Sequence, residues 1–152
     1  MTTEAVYAAE DAAFGGTDFD DELDSRRLDD LVGGITNGEW WRSCRVADVE
    51  LRRARSDSTT SSARSSDNGC VVIRLATTSS STVSHELAHA LAGVRCGHEA
   101  TFRAAHVDVV TVLAGSVVAA RLRQAYEDHG VPVGPRRWPP PIRLRGPGFV
   151  MA

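Results

Sequence analysis

The chain has 152 residues, 42% hydrophobic and 24% charged, with a net charge of −3, values that suit one soluble globular domain with a sizeable core. All 17 basic residues are Arg, which excludes chemistry built on a lysine nucleophile, a Schiff base or a P-loop lysine. No apolar run approaches the roughly 18 residues of a membrane span, and the opening MTTEAVYAAEDAAF is not a signal peptide, so a cytoplasmic protein with no membrane partner is expected.

The first element, VYAAEDAAF at 6–14, reads as a lead-in strand or short helix. DDELDSRRLDDLVGGI follows as an amphipathic helix, with Asp20 and Asp21 suiting its N-terminus and Leu28, Leu31, Val32 and Ile35 facing the core. Trp40 and Trp41 read as core anchors. In VADVELRRA, Val49 and Leu51 alternate with polar residues as in a half-buried strand, and CVVIRLA (70–76) reads as a more central one. Between them, the Ser/Thr-rich segment 56–69 is poor in apolar residues and reads as a surface loop.

TTSSSTVSHELAHALAG then reads as a helix with N-cap serines around Ser80 and Ser81, an apolar face of Val83, Leu87 and Leu91, and a stop at Gly93. One or two helices follow to about residue 129, with a break at Gly115. Domain limits of 1–131 are expected, followed by a Pro/Arg-rich tail, 132–152, extended and solvated. The tail from Val131 has four Arg and no acid, whereas residues 1–50 hold 13 of the 20 acidic groups. Cys44, Cys70 and Cys96 have no CxxC spacing and read as free thiols.

The chemistry lies in HELAHALAGVRCGH, His85 to His98. On a helix, residues i and i+4 share a face about 6 Å apart, so His85 and His89 suit one ion. Glu86, about 100° further round, suits a general base and acid that reaches water at the ion without ligating it. Zinc takes imidazole nitrogen and lowers the pKa of its water to about 7, so metal-assisted hydrolysis is the expected reaction. Two histidines and a glutamate on an inward helix face are also costly to bury without such a partner.

A catalytic zinc has a third protein ligand. The HExxHxxGxxH pattern fails, because Ala92 and Arg95 stand where Gly and His would be. His98 is preferred, since it follows the Gly93 stop and a short turn and opens the run H-x-x-x-F with Phe102. Glu99, Glu127 and His106 remain alternatives. Asp108 could orient an imidazole, although a solvated helix face is the plainer reading. His129 suits an exposed helix end, and Tyr126 suits the core better than a transition-state donor.

HELAHAL followed by GHEATF resembles the SprT-like arrangement, in which a His from an HGxxF-type segment completes HExxH. Glu99 stands here in place of that Gly. Over roughly 6–131 the chain resembles a family of small actinobacterial metallohydrolases, sharing VYAAEDAAF, the WW pair, a strand before HELAHAL, HxxxF with VDVV, and AYEDHGV. The resemblance implies a zincin-like hydrolase with one Zn2+ on His85, His89 and His98.

The expected fold is α+β, a small, mostly antiparallel sheet packed on the HExxH helix with further helices. The expected function is a zinc-dependent hydrolase of peptide or other amide bonds, acting on a peptide or protein substrate that could add to a sheet edge. A non-catalytic metal-stabilised binding module, with Cys96 closing the shell, is one alternative. A nucleic-acid-associated protease using the Arg tail is another, against which stand the acidic net charge and the lack of a cysteine-rich zinc ribbon.

Overall fold

A computed structural model of the chain describes residues 2–141. The elements run α1 (Thr2–Phe14), α2 (Ser25–Thr36), α3 (Glu39–Ser43), β1 (Val49–Arg53), β2 (Ser62–Ser65), β3 (Val71–Leu75), α4 (Ser80–Ala92), α5 (Ala100–Ala114) and α6 (Ser116–Asp128). The class is α+β. No helix among the described residues is long and apolar enough to cross a membrane.

The sheet is mixed rather than mostly antiparallel. Its strand order is β1-β3-β2, with β1 parallel to β3 and β2 antiparallel to it. The difference arises in the segment read as loop 56–69, which contains β2. SARS has no apolar alternation and packs only Ala63 against the core, so its pairing rests mainly on the backbone ladder (Ser62 opposite Arg74). A turn in which the Asn68 side chain accepts from Cys70 N–H folds β2 back on β3. β1 then takes the other flank, with Val49 opposite Val71. β3 is the central strand, as its sequence predicts: Val71, Val72, Ile73 and Leu75 are buried.

Among the helices, α1 settles the strand-or-helix ambiguity of residues 6–14. The second helix starts at Ser25 rather than near Asp20, because Asp24 caps it by accepting from Arg27 N–H at 2.8 Å. Asp18–Asp20 form a single 3₁₀ turn before it. Trp40 and Trp41 are buried on α3 and meet edge to face. Ser79, one residue ahead of the predicted caps, caps α4 through Thr82 N–H at 3.1 Å.

α4 is the centre of the molecule. It lies between the sheet and α5, α5 also packs on α6, and α1 covers α6. Ten of the thirteen α4 residues are therefore buried, so a polar group on this helix meets protein or an internal cavity on almost every side. Gly93 (φ 106°) ends α4 and Gly97 (φ 61°) turns the chain back, conformations open to glycine at no steric cost. That turn sets the start of α5 beside the middle of α4.

The first part of the tail is not a solvated extension. Residues 132–141 are without helix or strand but are tied to the body: Arg136 makes two hydrogen bonds to Asp108, at 2.7 and 3.0 Å. The buried Trp138 donates to the same carboxylate at 2.8 Å, and Trp40 donates to Pro139 O. Arg137 donates to Ala92 O, an open carbonyl at the end of α4. Two of the four tail arginines thus point inward; Arg143 and Arg145 lie outside the described residues.

Candidate metal centre

α4 presents His85 and His89 one turn apart, and α5 begins just after His98. One ring nitrogen from each of the three lies within 4.8 Å of the others. His85 Nε2 stands 3.1 Å from His98 Nε2. Two ligands at 2.0–2.1 Å from a tetrahedral ion are about 3.3 Å apart, so this spacing suits a shared zinc. Phe102, fully buried, floors all three rings, with centroids 4.9, 4.4 and 5.0 Å from those of His85, His89 and His98. That contact gives H-x-x-x-F a physical meaning: the aromatic residue one turn into α5 is the platform of the cluster.

The other side of the cluster comes from α1, which the sequence reading did not connect to the site. Both Glu10 carboxylate oxygens lie 2.8–2.9 Å from His85 Nδ1. A carboxylate there accepts a hydrogen bond from Nδ1–H and leaves the Nε2 lone pair facing His98. Thr3 Oγ1 is 3.2 Å from His98 Nδ1. Tyr7 stacks on His85 (5.2 Å, 11° between planes) and meets His98 edge-on. Thr3, Tyr7, Glu10 and Phe14 fall at spacings of four, three and four, the stripe of one helix face. An acid inside that stripe was the available signal. On α5 the buried Arg103 was also missed. Its guanidinium donates to His98 O at 2.7 Å and to Pro132 O at 2.9 Å, anchoring the backbone of the third histidine to the tail.

The remaining predicted residues separate clearly. His106 is fully buried and is not one of the His85–His89–His98 group, although its ring meets that of His85 edge-on at 5.7 Å; it belongs to a second grouping with Glu10 and His85. Ser84 Oγ donates to Ser81 O, so it accepts from His106 Nε2–H at 2.9 Å, which leaves His106 Nδ1 to accept from Tyr126 O–H at 2.7 Å. Tyr126 is therefore a core residue with an occupied hydroxyl. Asp108, against the expectation of a solvated face, is buried with Arg136 and Trp138, because the tail covers it. Glu99 and Glu127 are exposed and in neither grouping, Cys96 joins neither, and the exposed His129 ends α6.

The electrostatics follow from burial. Imidazolium is disfavoured away from water, so His85 and His98 are lowered to about 4, and His89 to about 3 with help from its neighbours. All three are neutral near pH 7, the state that ligates. Burial raises Glu10 well above the ordinary carboxyl value, and burial, with the Glu10 charge, pushes Glu86 up to about 8. Two largely desolvated carboxyls beside converging nitrogen lone pairs form a setting that a divalent cation would satisfy. Glu86 is 5% exposed and makes no hydrogen bond or ion pair among the described residues. Its carboxyl lines both cavities that meet at the cluster, of about 510 and 600 Å3.

These observations define an α+β chain with a three-histidine, one-glutamate constellation at the floor of a cleft. Comparison with known protein families, curated proteins and solved structures gives no match for this chain.

Proposed function

We propose that the protein is a zinc-dependent hydrolase of peptide or other amide bonds, zincin-like in its core, in which His85, His89 and His98 hold one ion. The observation that carries this reading is the convergence of three neutral imidazoles beside a buried carboxyl with no protein partner, in a cleft open to solvent. The likeness of HELAHAL and HEATF to the SprT-like arrangement points the same way.

Bound zinc supplies a Lewis acid that polarises a carbonyl and acidifies water to a pKa of about 7. The rest falls to the chain. With the charge of a bound divalent ion beside it to favour its ionised form, Glu86 would take a proton from the attacking water on a carboxylate oxygen and return it to the departing amine. Glu10 holds the proton on His85 Nδ1 and with it the direction of Nε2, and Thr3 does the same for His98. Tyr7, its phenol raised by burial and by the Glu10 and Glu86 charges, stays protonated on the cleft wall as a donor.

β2 offers the substrate a backbone. β3 is its one sheet neighbour among the described residues. Ser66 N–H donates to Cys70 O, and antiparallel pairing alternates, so Ser62 and Arg64 bond to β3 while Ala63 and Ser65 turn their backbone groups to the free edge. An extended peptide added there runs past Glu86 and the histidines, which line the same cavity as β2.

The test is a proteome-derived peptide mixture incubated with zinc-loaded protein, new termini being read by mass spectrometry. Wild type should cleave, lose cleavage with a chelator and regain it with zinc. Glu86→Gln should keep its zinc and cleave about 10²- to 10⁴-fold more slowly. Zinc-loaded wild type that cleaves no peptide refutes the reading.

A further inference from the structure

The two cavities share Tyr7, Ser61, His85 and Glu86, so they are two lobes of one cleft meeting over a saddle. Their charged linings are opposite. The lobe towards α1 carries Glu10, Asp11 and Asp20 with no basic side chain. The lobe along β2 carries Arg64 and Arg95, and its only acid is the shared Glu86. Asp11, Asp20, Arg64 and Arg95 are exposed, and none of the four forms an ion pair within the described chain. Asp20 is held in place by Ser81 O–H, which donates to it at 2.6 Å. Beyond these surface charges, Glu86, 5% exposed and without a hydrogen-bond or ion-pair partner among the described residues, lines both lobes.

Potentials of opposite sign on the two walls of a concave, partly desolvated cleft orient a bound chain more than they tighten it. We propose that the cleft selects charge-asymmetric peptides, with a cationic side chain in the lobe of Asp11 and Asp20 and a carboxylate in the lobe of Arg64 and Arg95, on either side of the bond that lies over Glu86. This names the substrate class of the hydrolase proposed above and rests on that reading for its catalytic meaning, but the selectivity itself is a binding property. Ser61 is common to both lobes, and its Oγ accepts from Ala76 N–H at 2.9 Å, which fixes the entry to β2 between the two fields.

The test uses chelator-treated, full-length protein, so that no turnover occurs, and isothermal titration with end-blocked peptides. One Arg and one Glu are separated by a short uncharged spacer in both orders, and matched peptides carry Gln at either or both positions. Neutralising either end should weaken binding to wild type by about three- to fivefold. The Asp11→Asn/Asp20→Asn protein should lose only the preference for Arg, and the Arg64→Gln/Arg95→Gln protein only the preference for Glu. Asp11→Asn alone, which leaves the Ser81 contact intact, should show part of the first loss. Equal affinity for charged and neutral peptides, no binding of any of them, or loss of both preferences together in each double variant overturns the proposal. Selective binding without zinc-dependent cleavage refutes the hydrolase alone, and cleavage without charge preference refutes the selectivity alone.

Discussion

The candidate metal cluster has two walls of different origin. The α4–α5 wall carries the nitrogen atoms: His85 and His89 one helical turn apart, and His98 returned by the Gly93–Gly97 turn. The α1 wall carries no nitrogen ligand, but its Glu10, Thr3 and Tyr7 fix how two of those rings point. The first wall is local in sequence; the second reaches across 75 residues, from Glu10 to His85. A ligand set can therefore be written within fourteen residues while its orientation is set by an element packed from elsewhere.

Substitutions on the first wall should have the larger effects. His85→Ala removes a ligand and strands the buried Glu10 carboxyl, so it should abolish zinc binding and destabilise the fold by about 3 kcal/mol, measured by metal content and denaturant unfolding. On the second wall, Glu10→Gln keeps the shape and loses the charge-assisted bond to His85. It should weaken zinc about 10- to 100-fold in a chelator competition while His85, His89 and His98 remain in place. Unchanged affinity would make α1 a mere cover.

Within the first wall, the carboxyl and the imidazoles respond to pH in opposite senses. Glu86 has a folded value near 8 against an ordinary 4.5, so its contribution to stability is full below pH 4.5 and is lost as pH rises through 8. Metal-free Glu86→Gln should then exceed wild type in stability above pH 8 by about 1–2 kcal/mol, the advantage vanishing near pH 4. His85 and His98 work in the opposite direction. Folded values near 4 lie below the ordinary 6.5, so their contribution is present above pH 6.5 and is lost as pH falls towards 4. Thermal unfolding across pH separates the two. The smallest effect should come from Thr3→Val, whose exposed contact to His98 at 3.2 Å is worth less than about 1 kcal/mol, or about threefold in zinc affinity.

What could be read in the sequence follows the same division. HExxH spacing, the buried β3 and the Trp pair are set by local periodicity, and they stand where the residues imply. β2 was hidden because SARS carries no apolar pattern and is held mainly by ladder bonds. The start of α2 was displaced because four aspartates at 18–24 compete as caps, and only Asp24 accepts from Arg27 N–H. Asp108 and the tail differ from their sequence reading for a common reason: a carboxylate and an arginine, Asp108 and Arg136, look solvent-facing until they are paired with each other. Glu10 could be found only by seeing that α1 places it in line with Thr3, Tyr7 and Phe14, a stripe whose target no spacing discloses.

The central claim is that His98 closes the ligand set that His85 and His89 begin. Its most direct test is zinc content per chain, by elemental analysis after equilibration with zinc and gel filtration, for wild type and His98→Ala side by side. One zinc in wild type and little or none in a folded His98→Ala protein is the expected result. Full occupancy in His98→Ala, or none in wild type, would contradict it.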